Sequence, residues 1–242
     1  MPNNHTTNTE PIKLKPLTLH ELHKTANERV SLISKEFTDG FNFLRKYPKS
    51  VTIFGSARSN PNSTDYLKAK TLSERIVKEL HYSIITGGGP GIMEAANRGA
   101  FEAKGDSLGV SIELPHTQVN NMYLTENIGF TYFFSRKVCL AFAAEAYIFF
   151  PGGFGTLDEF FEIITLVQTE KITPVPVILF DSGFWKPLDN FMQKELLEKG
   201  RVDAGDLQLY TITDDEDEIM NIIRNAPIRN GIEFEHEVNE TK

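Results

Sequence analysis

The chain has 242 residues, with 25 lysines and arginines against 33 aspartates and glutamates, a net charge of −8 at neutral pH. A 40% hydrophobic and 24% charged composition describes a globule able to bury a core, and the acidic balance excludes the broad basic face of a general nucleic-acid binder while leaving room for a local anion site. One cysteine (Cys139), six histidines without an H-E-x-x-H pattern and no apolar run near ~18 residues exclude an intrachain disulfide and multi-cysteine zinc sites, and argue against a histidine metal site and a membrane span.

Residues 1–16 are polar, with Pro2, Pro11 and Pro16, and read as a mobile arm without the apolar core of a signal peptide. Cytoplasmic residence is the expectation. Residues 17–48 carry Leu19, Leu22, Ala26, Val30, Ile33, Phe37, Phe41 and Leu44 at helical spacing. They predict a helical extension of one or two amphipathic helices, Gly40 marking the point where a break would fall. It packs on the main domain or builds a subunit interface.

From residue 49 the pattern changes. Short apolar strands are expected at Val51–Phe54, Ser83–Thr86, Ser107–Ile112, Ile128–Tyr132, Ala146–Phe150, Val175–Phe180 and Leu209–Ile212. Helical patterns lie between most of them, at Asp65–Leu80, Gly91–Lys104, Phe134–Ala144, Thr156–Glu170, Phe184–Lys199 and Asp215–Arg224. Such alternation predicts an α/β fold, a Rossmann-like three-layer αβα sandwich with a mainly parallel sheet. The acidic run Asp214–Glu218 reads as the favourable negative start of a helix. Residues 226–242 read as a loose acidic tail, leaving 49–225 as the main domain.

In parallel sheets ligands sit beyond the carboxyl ends of the strands. Three of the loops there are unusual. Gly55-Ser56-Ala57-Arg58 is either a simple turn or a place where backbone and the Ser56 hydroxyl approach a ligand. Thr86-Gly87-Gly88-Gly89-Pro90-Gly91-Ile92-Met93 is either a tightly packed loop or an anion wrap that opens a helix. It matches neither the G-x-x-x-x-G-K-[ST] phosphate loop nor a clean G-x-G-x-x-G fingerprint. Pro151-Gly152-Gly153-Phe154-Gly155-Thr156-Leu157-Asp158-Glu159 contains a T-x-x-E capping box, with Thr156 as N-cap and Glu159 at the third helical position. The box does not require Gly152, Gly153 and Gly155, so two glycine-rich loops facing one crevice are expected, with Glu159 beside a bound phosphate ester. Arg136-Lys137 is either a solvated helix start or part of that crevice. Cys139 reads as buried in a helical face rather than as a nucleophile. His116, in a loop, is either a ligand contact or structural.

Together these residues resemble the LOG (Lonely Guy) family of nucleoside 5′-monophosphate phosphoribohydrolases. Pro151 to Glu159 match P-G-G-x-G-T-x-x-E at every fixed position; Arg136 and Lys137 match the upstream Arg-Lys pair; Gly87 to Met93 resemble the G-G-G-x-x-G-x-M loop with one spacer residue in place of two; Gly55 and Ser56 match the strand-plus-Gly-Ser entry. The resemblance spans roughly residues 49–225. It implies hydrolysis of the N-glycosidic bond of a nucleotide to free base and ribose 5-phosphate, with no cofactor, no metal and at least a dimer. It makes Arg136 and Glu159 catalytic. It assigns phosphate and substrate binding to Gly55, Ser56, Gly87, Gly88, Gly89, Gly91, Met93, Lys137, Gly152, Gly153, Gly155 and Thr156. Phe133-Phe134-Ser135 before Arg136, and Glu94 after Met93, depart from the plant pattern. The segment 111–118 and the N-terminal extension resemble the longer bacterial branch. AMP or a broader nucleotide range is therefore favoured over a dedicated cytokinin role. The alternative is a nucleotide-binding or carrier protein without catalysis, which would have no need of Arg136 and Glu159 in register.

Overall fold

A computed structural model describes residues 19–113 and 120–227; the expected N-terminal arm, most of the acidic tail and His116 lie outside them. Seven strands form one sheet: β1 (Ser50–Phe54), β2 (Ser83–Thr86), β3 (Ser107–Ile112), β4 (Glu126–Phe130), β5 (Ala146–Phe149), β6 (Val177–Phe180) and β7 (Thr211–Thr213). Their spatial order is β4-β3-β2-β1-β5-β6-β7 and every pairing is parallel. β1 lies in the middle, paired through Val51 to Ile84 of β2 on one side and to Ala146 of β5 on the other.

The helices are α1 (Leu19–Leu44), α2 (Thr64–Arg75), α3 (Ile92–Glu102), α4 (Phe133–Phe142), α5 (Phe154–Gln168), α6 (Ser182–Phe191) and α7 (Glu216–Asn225). They are sorted to two faces by the period-two alternation of the strands. Tyr147 and Phe149 point into one core with Phe43 and Leu44 of α1, Cys139 and Leu140 of α4, Phe160 and Ile163 of α5, and Trp185 of α6. Ile148 and Phe150 point into the other with Leu72 of α2, Ala95 and Ala96 of α3, and Ile219 and Ile223 of α7. The small residues of α3 let it press against α2; a Cβ on Gly99 would stand 2.1 Å from the Lys70 carbonyl oxygen. This is the expected three-layer α/β architecture.

The differences are local. α1 runs unbroken through Gly40, because that glycine is a contact and not a hinge: a Cβ there would meet Cys139 Sγ at 2.5 Å and the Phe130 ring at 2.9 Å. The expected helices 65–80 and 184–199 each end in a π-helical turn, Ile76–Leu80 and Met192–Leu197. β4 lies two residues earlier than expected. Thr125 starts it by bonding Ser107, and the Thr131 N–H leaves the ladder for the Glu36 carboxylate. β7 begins at Thr211, after a 3₁₀ turn at Asp206–Gln208. α7 starts as anticipated, with Asp215 accepting from the N–H groups of Asp217 and Glu218 and three acids in its first turn.

Candidate active site

The loops after β1, β2 and β5 meet where the order of strands turns from β1 to β5, the usual ligand position in an open parallel sheet. Hydrogen bonds tie them together. The Ser56 N–H donates to the Pro151 carbonyl at 3.0 Å, and the Ile92 N–H donates to the Ser56 carbonyl at 3.0 Å. Between them opens a cleft of 620 Å³, within the range of ~300–1,000 Å³ usual for small-molecule sites. It is lined by Gly55, Ser56, Arg58, Gly87, Met93, Arg136, Gly153, Gly155, Thr156 and Glu159, with Phe133 and Phe154 at its apolar side.

The start of α5 corrects the expected capping box. The helix begins at Phe154, and Gly153, not Thr156, is its N-cap, with no side chain capping it. The Gly153 carbonyl accepts the N–H groups of Thr156 and Leu157, at 3.0 and 3.1 Å. Thr156 is thus one turn inside the helix, and its hydroxyl turns back over Gly152, where a Cβ would stand 2.1 Å from Oγ1. Nothing lies within 4 Å of where side chains on Gly153 and Gly155 would begin. The first helical N–H groups have no intrahelical acceptor and carry the positive end of the helix dipole. Backbone of this kind, uncovered by side chains, suits an anion.

Glu159 lies deeper on α5, only 7% exposed. Arg136, in the first turn of α4, brings Nη1 to 3.7 Å from Glu159 Oε1, and its Nε–H donates to the Val110 carbonyl at 2.8 Å. Gly87 makes room for this guanidinium: a Cβ there would stand 2.4 Å from Arg136 Nη2 and 2.8 Å from Met93 Sδ. Burial raises the Glu159 carboxyl to about 7, against the opposing pull of Arg136 and Lys137 and with a further push from Glu162 and Asp158. Burial lowers the Arg136 guanidinium, which Glu159 partly offsets. A deeply buried carboxyl poised near neutrality in a cleft is the arrangement expected of a group that handles charge or protons.

Not every expected residue reaches the cleft. Lys137 does not line it; its ammonium bridges Asp158 and Glu162 at 2.9 Å each, clamping α4 to α5. Burial disfavours that ammonium, but the two carboxylates outweigh it and raise its pKa. Gly88 and Gly89 are held by Asn121, whose amide donates to their carbonyls at 3.2 and 3.0 Å. Gly91 is the N-cap of α3 at φ +70°, with a Cβ position 2.2 Å from the Ser56 carbonyl oxygen. Gly152 serves Thr156. Arg58, Phe133 and Phe154, unassigned from sequence, do line the cleft. Arg58 lay inside a noted loop, and its position four residues past the end of β1 was the available signal. Among the described residues no three His, Cys, Asp or Glu side chains are grouped to hold a metal, and no helix is long and apolar enough to cross a membrane.

The family model described as possible lysine decarboxylase matches residues 93–223, just over half of the chain. The chain belongs to this family, the LOG family. Among LOG-like proteins, it is 27% identical over 161 residues to a cytokinin riboside 5′-monophosphate phosphoribohydrolase of Rhodococcoides fascians, covering 64% of this chain and 79% of that one. It is also 27% identical to the pyrimidine/purine nucleotide 5′-monophosphate nucleosidase of Escherichia coli K12, covering 64% of this chain but only 36% of that longer protein. In fold it is similar to the molybdenum cofactor binding protein from Rippkaea orientalis, with a TM-score of 0.52, 22% identity, and coverage of 72% and 93%. The LOG fold is therefore shared by proteins named as enzymes and by proteins named as binders.

Proposed function

We propose that this LOG-family chain is a hydrolase of the N-glycosidase type, releasing the base and ribose 5-phosphate from a purine nucleoside 5′-monophosphate. AMP or a related nucleotide is the favoured substrate. The observation that carries the reading is the buried Arg136–Glu159 pair, 3.7 Å apart, one turn and more beyond an uncapped helix N-terminus in the same cleft. α5 rises about 7.5 Å from Phe154 to Glu159, which suits a ribose lying between a phosphate at the helix start and the carboxyl.

The chemistry follows from that placement. The phosphate binds the free N–H groups at the start of α5, with Arg58 as an exposed cation lining the cleft. As the C1′–N bond breaks, its electron pair leaves with the base, which takes a proton from solvent, and positive charge gathers on C1′ and the ring oxygen. Ionised Glu159 stabilises that charge and accepts a proton from the water that bonds to C1′. Related glycoside hydrolases use carboxylates similarly, although commonly two; of the two carboxylates that line this cleft, Glu159 is buried, whereas Asp158 is exposed and paired with Lys137. Arg136 holds Glu159 and the ribose hydroxyls in register. Phosphate binding supplies the remote energy that positions the sugar. Resemblance in fold to a cofactor-binding protein supports no second activity, and a carrier would have no need of Arg136 and Glu159 paired in the cleft.

The test is incubation of the full chain with AMP, other nucleoside monophosphates and isopentenyladenosine 5′-monophosphate, with free base and ribose 5-phosphate measured. Equimolar release from at least one purine nucleotide, and little from adenosine, is expected. Binding without release from any nucleotide would favour the carrier.

A further inference from the structure

α1 precedes the segment matched to the LOG family, residues 93–223, yet it touches the site's arginine helix with a buried charge. Glu36 is 7% exposed, and among the described residues it makes no ion pair. Its Oε1 accepts the Thr131 N–H at 2.6 Å, and its Oε2 accepts the Ser135 hydroxyl. Ser135 is fully buried, and its Oγ also lies 2.9 Å from the Tyr132 carbonyl oxygen. α4 has no cap of its own, since its N-cap residue is Tyr132 and makes no side-chain capping bond. Glu36 instead holds the two sides of this helix start, the Thr131 N–H one residue before the N-cap and the Ser135 hydroxyl in the first turn. The carboxylate also sits at the positive end of the α4 dipole, which offsets the cost of burying it.

One turn further along α1, Gly40 lies against Cys139 and Phe130 so closely that a Cβ could not be added without displacing them. Cys139 lies one turn beyond Ser135 on α4. The two contacts, Glu36 on the first turn and Gly40 on the second, fix the rotation of α4 as well as its height over the sheet. Arg136 is the residue next to Ser135. Among the described residues its side chain has one direct anchor, the Val110 carbonyl, and one partner, Glu159.

We propose that Glu36 is a positioning residue: the N-terminal helix pins the entry to α4 through the Thr131 N–H and the Ser135 hydroxyl and thereby aims Arg136 at Glu159 and the ribose. This rests on the reading of Arg136 as a participant in N-glycosidic hydrolysis, and gives the N-terminal extension a task in that reaction.

The experiment compares the full chain with Glu36→Ala, Glu36→Gln and Ser135→Ala. Amide hydrogen exchange over residues 131–137 needs no activity, and kcat and KM for AMP are measured on the same samples. Glu36→Ala is expected to speed exchange of the Thr131 amide, and of the Arg136 amide that closes the first turn of α4, by about 10-fold, with β1 and β5 unchanged. It should lower kcat by about 10-fold or more while KM, set largely by the phosphate, stays within about 2-fold. Glu36→Gln keeps an acceptor oxygen and should recover part of both losses. Unchanged exchange in Glu36→Ala, or wild-type kcat, overturns the proposal, as does a lowered unfolding midpoint with kcat per folded molecule intact. If Glu36→Ala does not fold, Ser135→Ala, which removes one donor only, is read by the same criteria. If the wild-type chain cleaves no nucleotide, the catalytic reading fails, and the exchange data alone decide whether Glu36 holds α4.

Discussion

Glu159 is where burial and chemistry oppose each other. Its folded-state carboxyl lies at about 7, above the ordinary 4.5, chiefly through burial. The folded protein therefore holds that proton more tightly than the unfolded chain does. Stability linked to this group is fully present below about 4.5 and is lost as pH rises through about 7. Glu159→Gln, which imitates the neutral form, should be more stable than the wild type at pH 8 by roughly 1–3 kcal/mol. That is a rise of several degrees in Tm, with the gap narrowing toward pH 5. Thermal melts at the two pH values check this, and an equal gap at both would refute it. Activity should run the other way: kcat/KM rises with pH through about 7 as the carboxylate forms, and the variant loses turnover. The P-G-G-x-G-T-x-x-E pattern made Glu159 and Arg136 legible in the sequence. The raised pKa was not, because it depends on α4 and α5, separate segments of the chain, closing over the carboxyl.

Among the elements, the glycine loops divide by what each glycine avoids. Gly87 avoids the Arg136 guanidinium, whereas Gly91 avoids backbone and adopts a left-handed φ of +70°. Gly87→Ala should leave the fold intact, since the atoms it meets are side-chain ends. Displacing Arg136 by about 1 Å should then cost activity on the order of 100-fold. Gly91→Ala should instead lower the melting temperature or abolish soluble expression, because the Ser56 carbonyl cannot give way cheaply. Circular dichroism melts and turnover on the two variants separate these outcomes; matching defects would contradict the assignment. Strand and helix alternation was readable because Tyr147-Ile148-Phe149-Phe150 and its counterparts are apolar on both faces. The T-x-x-E pattern at Thr156 misled because a glycine N-cap three residues earlier competes with it, and sequence alone does not show which carbonyl the N–H groups of Thr156 and Leu157 choose. The edges of β4 and the continuity of α1 were hidden for a similar reason. Both are set by tertiary contacts, of Thr131 with Glu36 and of Gly40 with Cys139.

At the scale of the molecule, an acidic chain of net charge −8 gathers Arg58, Arg136 and the uncapped start of α5 around one cleft at the carboxyl ends of its strands. The sheet order puts that cleft at the junction of β1 and β5, and α1 reaches it from outside through α4. The central claim is that this cleft does more than hold a phosphate ester: Glu159 turns binding into cleavage. The measurement that bears on it most directly pairs adenine release from AMP with binding of ribose 5-phosphate, in the wild type and in Glu159→Gln. The wild type should release adenine and ribose 5-phosphate in equimolar amounts. Release from the variant should fall at least ~100-fold, with ribose 5-phosphate affinity changed by no more than a few-fold. Undiminished adenine release from Glu159→Gln would contradict it.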